Sequence, residues 1–279
     1  MENTYSVLVN RFFSRNTFRD LLKYGDCDTY RAIIGNYIAD PDKLTNKECI
    51  EKIYHFLETN YRNEYYYKNT ILNKLLLGIH SPRTTTALTE VPVGKSIVDF
   101  VLINGEATAY EIKTDLDNLD RLQGQITDYY KVFPKVIVVT SEHNYLETAR
   151  RIAETPTGIF VLTKRGSLSL RKSPEKNMEN LSKTAMFKVL RKKEYEEILL
   201  SCFGALPKVS QFDYYRTCQA MFESVSTEDA YTAFIRALKK RRKVEIEEFR
   251  KVPYTLRFLV YFSYFGTADY QELTRFLEA

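Results

Sequence analysis

The 279-residue chain holds only four cysteines, Cys27, Cys49, Cys202 and Cys218, and no two of them form a Cys-x-x-Cys pair. Neither a zinc ribbon nor a disulfide framework is expected from such scattered positions, and free buried thiols are. Histidine is scarcer still, with three residues. His55 and His80 have no partner at metal-ligand or catalytic-dyad spacing, and His143, just past a strand end, reads either as a solvated loop residue or as one facing a site. No apolar run approaches the roughly 20 residues of a membrane span. Met1-Glu2-Asn3-Thr4 lacks the basic start and apolar core of a signal peptide, so a cytoplasmic protein with no membrane partner is expected. At 44% hydrophobic and 28% charged residues, the chain is no solvated disordered polymer and has material for one large domain or two small ones.

Net charge is also small, at +5, but it is unevenly spread. Residues 164–279 carry 22 Lys and Arg against 15 Asp and Glu, whereas the rest carries 19 against 21. The basic surplus therefore lies in the C-terminal part. A phosphate-binding enzyme with a locally negative site would place its attraction there; a soluble helical surface would carry the same charge. The densest run, Lys239-Lys240-Arg241-Arg242-Lys243, reads as a phosphate-contacting segment or a solvated helix end.

What is present in strength is a pair of apolar strands interrupted by charge. Ser96 to Ile103 contains Asp99, and Thr108 to Asp115 contains Glu111 and Lys113. A charged group in a β-branched and aromatic run is costly to bury and needs a reason. Neighbours along a strand alternate sides and rise about 3.3 Å each, so Glu111 and Lys113 share one face about 6.6 Å apart while Ile112 faces away. Asn104-Gly105-Glu106 is a turn signal, which makes the strands a hairpin able to bring Asp99 toward Glu111. Two converging carboxylates favour a divalent cation between them. Upstream, Thr84 to Val93 reads as another strand, turning at Gly94-Lys95. Counting outward from that turn places Glu90 opposite Asp99 on the same face, and a slip of one residue would turn it away.

Asp on one strand and Glu-x-Lys on the next, followed by a helix with Gln125-x-x-x-Tyr129, resembles the PD-(D/E)XK nuclease superfamily. The run from Thr89 to Tyr130 is similar to small bacterial proteins, mostly uncharacterised, assigned to that superfamily. The resemblance implies Mg²⁺ or Mn²⁺ held by Asp99, Glu111 and the Ile112 carbonyl, to which the hairpin register adds Glu90. Lys113 would activate water and stabilise charge, Gln125 would orient the phosphate or Lys113, and Tyr129 would back Gln125. It further implies that an additional acid often comes from the helix before the sheet, which here is Glu64. The expected activity is hydrolysis of phosphodiester bonds of a nucleic acid, DNA ahead of RNA with RNA left open, in phage defence or DNA processing. The alternative is a catalytically silent nucleic-acid-binding or protein-interaction module that kept the fold.

The remaining segments give an α/β order, α-β-β-β-α-β-α-β-β, which matches the αβββαβ restriction-endonuclease-like core with a mixed sheet that the resemblance implies, with an added hairpin and flanking helices. Residues 1–59 read as a helical cap, with Thr45 to Glu48 in capping-box form. Residues 60–172 form the core. Within it, Tyr65, Tyr66 and Tyr67 invite either base stacking or, at helical spacing before a leucine ladder, core packing. Lys135 to Thr140 reads as a strand buried on both faces. Residues 172–185 read as a polar linker, and residues 185–279 as a helical domain for binding or assembly, able to support a homodimer or a protein partner. The aromatic stretch from Tyr254 to Phe265 must be buried or form an interface.

Overall fold

A computed structural model describes residues 2–241 and 244–279 of the chain. Arg242 and Lys243 of the basic run lie outside the described residues. The chain forms two compact units, cut differently from the three segments expected: residues 1–83 with 244–279, and residues 84–243. No helix among the described residues is long and apolar enough to cross a membrane.

The first unit is helical. It opens with α1 (Glu2–Phe12), α2 (Arg15–Tyr24), α3 (Asp28–Tyr37), α4 (Asn46–Thr59) and α5 (Glu64–Ile71), the last continuing into a π-helical turn at Leu72–Leu77. Local chemistry sets several of these starts. Thr45 and Glu48 form the expected reciprocal capping box of α4, and Asn63 accepts the Tyr66 N–H at the head of α5. Tyr65, Tyr66 and Tyr67 are all buried, so they pack in the core and offer no stacking surface.

The second unit holds β1 (Thr86–Val93), β2 (Ser96–Asn104), β3 (Glu106–Lys113), α6 (Leu122–Tyr130), β4 (Lys135–Ser141), α7 (Tyr145–Arg151), β5 (Gly158–Leu162) and β6 (Leu168–Lys172). These strands form one six-stranded mixed sheet in sequence order. β1, β2 and β3 are antiparallel, β3, β4 and β5 are parallel, and β6 returns antiparallel. Glycines make the two tight reversals, with φ +63° at Gly94 and +76° at Gly105, a region other residues enter only under strain.

Helices α8 (Lys183–Val189), α9 (Lys192–Phe203), α10 (Gln211–Ser224) and α11 (Thr227–Lys239) belong to this unit as well. Phe187, Leu199, Phe222, Phe234 and Leu238 join Ala107, Ala109, Val136, Val138, Ile159 and Val161 in one buried cluster, together with Leu122, Ile126 and Tyr129 of α6. One face of the sheet is therefore sealed by α6 and by helices expected to stand apart. Each such side chain contributes about 1.5–3 kcal/mol on full burial, which outweighs any tendency of this region to separate. The segment read as a linker is tied down too: the N–H groups of Asn177 and Ser182 donate to Pro134 and Lys131 carbonyls, both at 2.8 Å.

The chain then returns to the first unit with α12 (Ile246–Lys251), α13 (Arg257–Phe262) and α14 (Thr267–Glu278). Asn69, wholly buried on α5, donates to the Tyr54 hydroxyl (2.9 Å) and the Tyr254 carbonyl (3.0 Å), and accepts the Phe258 N–H (3.0 Å). Phe258, Leu259, Val260, Tyr261 and Phe262 in the middle of the aromatic stretch are buried, while Tyr254 at its start and Tyr264 near its end are exposed. Of the cysteines, Cys49 and Cys218 are buried, Cys27 is half-buried, and Cys202 is exposed against expectation; all are free.

Candidate active site

β2 and β3 part company at Asp99. Their ladder runs from Asn104↔Glu106 to Phe100↔Tyr110, and the next rung in that register, Asp99 with Glu111, is missing. The Asp99 side chain takes over: its Oδ2 accepts the Ile112 N–H at 2.7 Å, satisfying a main-chain donor that β2 has abandoned. In an extended strand the N–H and C=O of one residue point to the same edge, so the Ile112 carbonyl also faces the fork. Thr89 on β1 donates its hydroxyl to the Asp99 carbonyl at 2.7 Å, holding this residue from the other side.

Ala107, Ala109, Glu111 and Lys113 alternate onto the face that α6 covers, so the acid and the base continue an apolar row. They are buried, with 1% and 7% exposure, and pair at 2.8 Å from Lys113 Nζ to Glu111 Oε1. Gln125 closes a ring with them. Its Nε2 donates to Glu111 Oε1 at 2.6 Å and its Oε1 accepts from Lys113 Nζ at 3.0 Å. Tyr129, one turn further along α6, donates its hydroxyl to Glu111 Oε2 and lies 2.7 Å from the Ile97 carbonyl. It thereby bridges β3 to the departing β2. Burial first, then the Glu111 and Asp99 carboxylates, push the Tyr129 phenol far above its ordinary pKa. Fully buried, Tyr129 positions Glu111 and presents nothing to a substrate.

Two features of this region had no sequence signal. Thr140 on β4 sits beside Lys113 in the parallel register, on the same face as Val136 and Val138, and its wholly buried hydroxyl has no partner. Asp128 on α6 accepts the Lys95 N–H (3.2 Å) and the Ser96 hydroxyl (2.8 Å) and pairs with Lys131 (2.7 Å), clamping the β1–β2 turn to the helix that carries Gln125 and Tyr129. Burial works to raise the Asp128 carboxyl, but Lys131, Ser96 and the Lys95 N–H together hold it below the usual carboxylate range.

The other expected residues are placed differently. The register expected around Glu90 holds on both sides, with Thr89↔Phe100 and Val91↔Val98, but the rung between them is absent because Glu90 is left-handed, at φ +55°. Leu88 and Val91 consequently both reach the same core cluster, three residues apart, so simple alternation cannot assign the exposed Glu90 to a face. Glu64 opens α5 in the first unit, paired with Lys68 at 2.5 Å. Arg241 is committed to Glu194 through Nε and Nη2 (2.7 and 2.6 Å) and to the Val189 carbonyl (2.8 Å), so it holds α9 and cannot serve a phosphate. Lys240 pairs with Glu197 at 3.2 Å on the surface. The Thr86 hydroxyl bonds to the Lys239 main-chain carbonyl at 3.1 Å. His143 is exposed.

No group of three or more His, Cys, Asp or Glu residues that could hold a metal occurs among the described residues. What the fork does offer is two carboxylates and one main-chain carbonyl. Such hard oxygen donors fit a Mg²⁺ or Mn²⁺ that is held by one or two carboxylates and keeps much of its water.

A family model described as Bacteriophage P4 protein cII matches residues 57–255, well over half of the chain. No curated protein and no solved structure matches it.

Proposed function

The chain belongs to the bacteriophage P4 protein cII family, and we propose that it is a metal-dependent nuclease with a restriction-endonuclease-like core, hydrolysing phosphodiester bonds of DNA. The observation that carries this reading is the fork at Asp99, where a carboxylate and a main-chain carbonyl on diverging strands meet a buried Glu111–Lys113 pair held by Gln125. A structural ion pair alone would not account for the missing rung. Nor would it account for a glutamine that contacts both members of the pair.

In this reading Asp99, Glu111 and the Ile112 carbonyl would hold Mg²⁺ or Mn²⁺, and Glu90, next in the chain to the Thr89 that bonds the Asp99 carbonyl, would bind a water of that cation in preference to Glu64. A cation there would polarise the phosphoryl oxygen and acidify a water. The chain's own residues do the rest. Lys113 Nζ stabilises negative charge gathering on the phosphate oxygens, and Gln125 Oε1 keeps that ammonium aimed. Tyr129 fixes the Glu111 carboxylate, while Lys239 and Lys240 add phosphate attraction at the end of α11. A second reading, a catalytically silent nucleic-acid-binding module, is favoured by one fact: both Glu111 oxygens already accept hydrogen bonds from protein donors.

The test is a cleavage screen with Mg²⁺ or Mn²⁺ on single-stranded, duplex and branched DNA and on RNA, with a chelator control. Cleavage that chelator stops and that Asp99→Ala, Glu111→Ala and Lys113→Ala each remove is expected. The losses should not add, because the residues act as a unit. Glu90→Gln should cost more activity than Glu64→Gln. Binding without cleavage on every substrate selects the silent module.

A further inference from the structure

The face of α6 that reaches the fork extends beyond Gln125. Arg121, Gln125 and Tyr129 are spaced by four, which puts them on one side of a helix. The Gln125 N–H donates to the Arg121 carbonyl at 3.0 Å, so Arg121 already belongs to the first turn. Exposure rises outward along this row: Tyr129 is sealed against Glu111, Gln125 is half-buried on Glu111 and Lys113, and Arg121 is exposed. Each step is one helical turn, about 6 Å along the axis.

The charges around Arg121 are already engaged. Arg151 pairs with Asp120 (3.2 Å) and Glu147 (2.7 Å), Arg150 pairs with Glu147 (2.8 Å), and Asp117 accepts the Thr114 N–H and hydroxyl, both at 2.7 Å. Asp115 is exposed on the same loop. Among the described residues the Arg121 side chain makes no ion pair and no hydrogen bond. Fold stability does not explain it, because a cation near a helix N-terminus is disfavoured by the helix dipole. A planar guanidinium with five donors is, however, suited to a phosphate.

We propose that Arg121 is a substrate-binding residue that holds the phosphate next to the scissile one. The proposal rests on the nuclease reading of the fork and deepens it: with Gln125 at the reacting phosphate, the residue one turn outward meets the next phosphate along the same strand. The substrate is then a polynucleotide engaged by at least two successive phosphates, one at the fork and one at the mouth.

The experiment compares the full-length wild type with Arg121→Ala and Arg121→Lys in two separate measurements. In chelator, anisotropy of labelled single-stranded and duplex oligonucleotides is followed across a salt series. Arg121→Ala should bind several-fold more weakly, and its log–log salt slope should fall by about 0.7 on single strands or 0.9 on duplex, the value of one phosphate contact; Arg121→Lys should keep the slope. With Mn²⁺, the Arg121→Ala defect should fall on the KM for oligonucleotide rather than on kcat. Unchanged affinity and slope in Arg121→Ala overturn the proposal whether or not the protein cleaves. Failure of the wild type to bind any oligonucleotide overturns it as well. If the binding differences appear but the wild type cleaves nothing, the Arg121 contact stands and the nuclease reading falls.

Discussion

Removing either partner of the Glu111–Lys113 pair should destabilise the protein even before catalysis is considered. Both side chains are buried, at 1% and 7% exposure, and each is the other's charge partner at 2.8 Å. Lys113→Met leaves a buried carboxylate with only the Gln125 amide and the Tyr129 hydroxyl for company, and Glu111→Gln leaves a buried ammonium. Breaking one side of such a pair costs about 3–5 kcal/mol, because the remaining charge stays desolvated. Losing both charges together removes that penalty, so the double variant Glu111→Gln/Lys113→Met should cost far less than the sum of the singles, with a coupling of at least about 2 kcal/mol. The assay is urea unfolding of the four proteins in chelator, read by midpoint at constant slope. At about 2–4 °C per kcal/mol for chains approaching this size, each single variant should also melt roughly 10 °C lower. Single costs below about 1 kcal/mol, or a double variant equal to their sum, would show that the two charges are solvated and independent, and the site geometry described above would then be wrong. Activity losses in these variants need a melting curve beside them.

Two other outcomes follow from the surroundings of the site. Gly94→Ala should lower the melting temperature, because at φ +63° an added Cβ is strained by about 1–2 kcal/mol and would lie 2.8 Å from Asp128 Oδ1; in an Asp128→Ala background, which itself loses the clamp, the further drop caused by Gly94→Ala should shrink to the backbone part. In acid, Arg150 and then Arg151 hold the Glu147 carboxyl down to about 2, against an ordinary value of about 4.3. A carboxyl depressed in the folded state contributes stability above its unfolded pKa and loses it as pH falls, so the loss should run between about pH 4.3 and 2. Glu147→Gln should flatten the melting temperature across that window, and an unchanged slope would refute the assignment.

Much of the candidate site is local in origin. The chain alone determined that Glu111 and Lys113 share a face, because alternation along a strand is set by the residues between them. The spacing of Gln125 and Tyr129 likewise needs only a helix. The two hairpins, β1 with β2 and β2 with β3, followed from turn glycines and apolar runs, and so did the register of β1 against β2, whereas the parallel pairing of β3, β4 and β5 is a tertiary outcome. What required the tertiary structure was every contact made across elements. The opening at Asp99 depends on β2 peeling from β3, which no periodicity records. The left-handed backbone of Glu90 breaks the alternation that the register argument assumed. The Asp128 clamp, the unpartnered Thr140 hydroxyl beside Lys113 and the burial of Arg241 against Glu194 all join residues far apart in sequence. The same reason divides the C-terminal helices, for a helical sequence shows which of its faces is apolar but not which surface will cover it. Phe187, Phe222 and Phe234 found the sheet and Phe258 found Asn69, and only packing could choose between them.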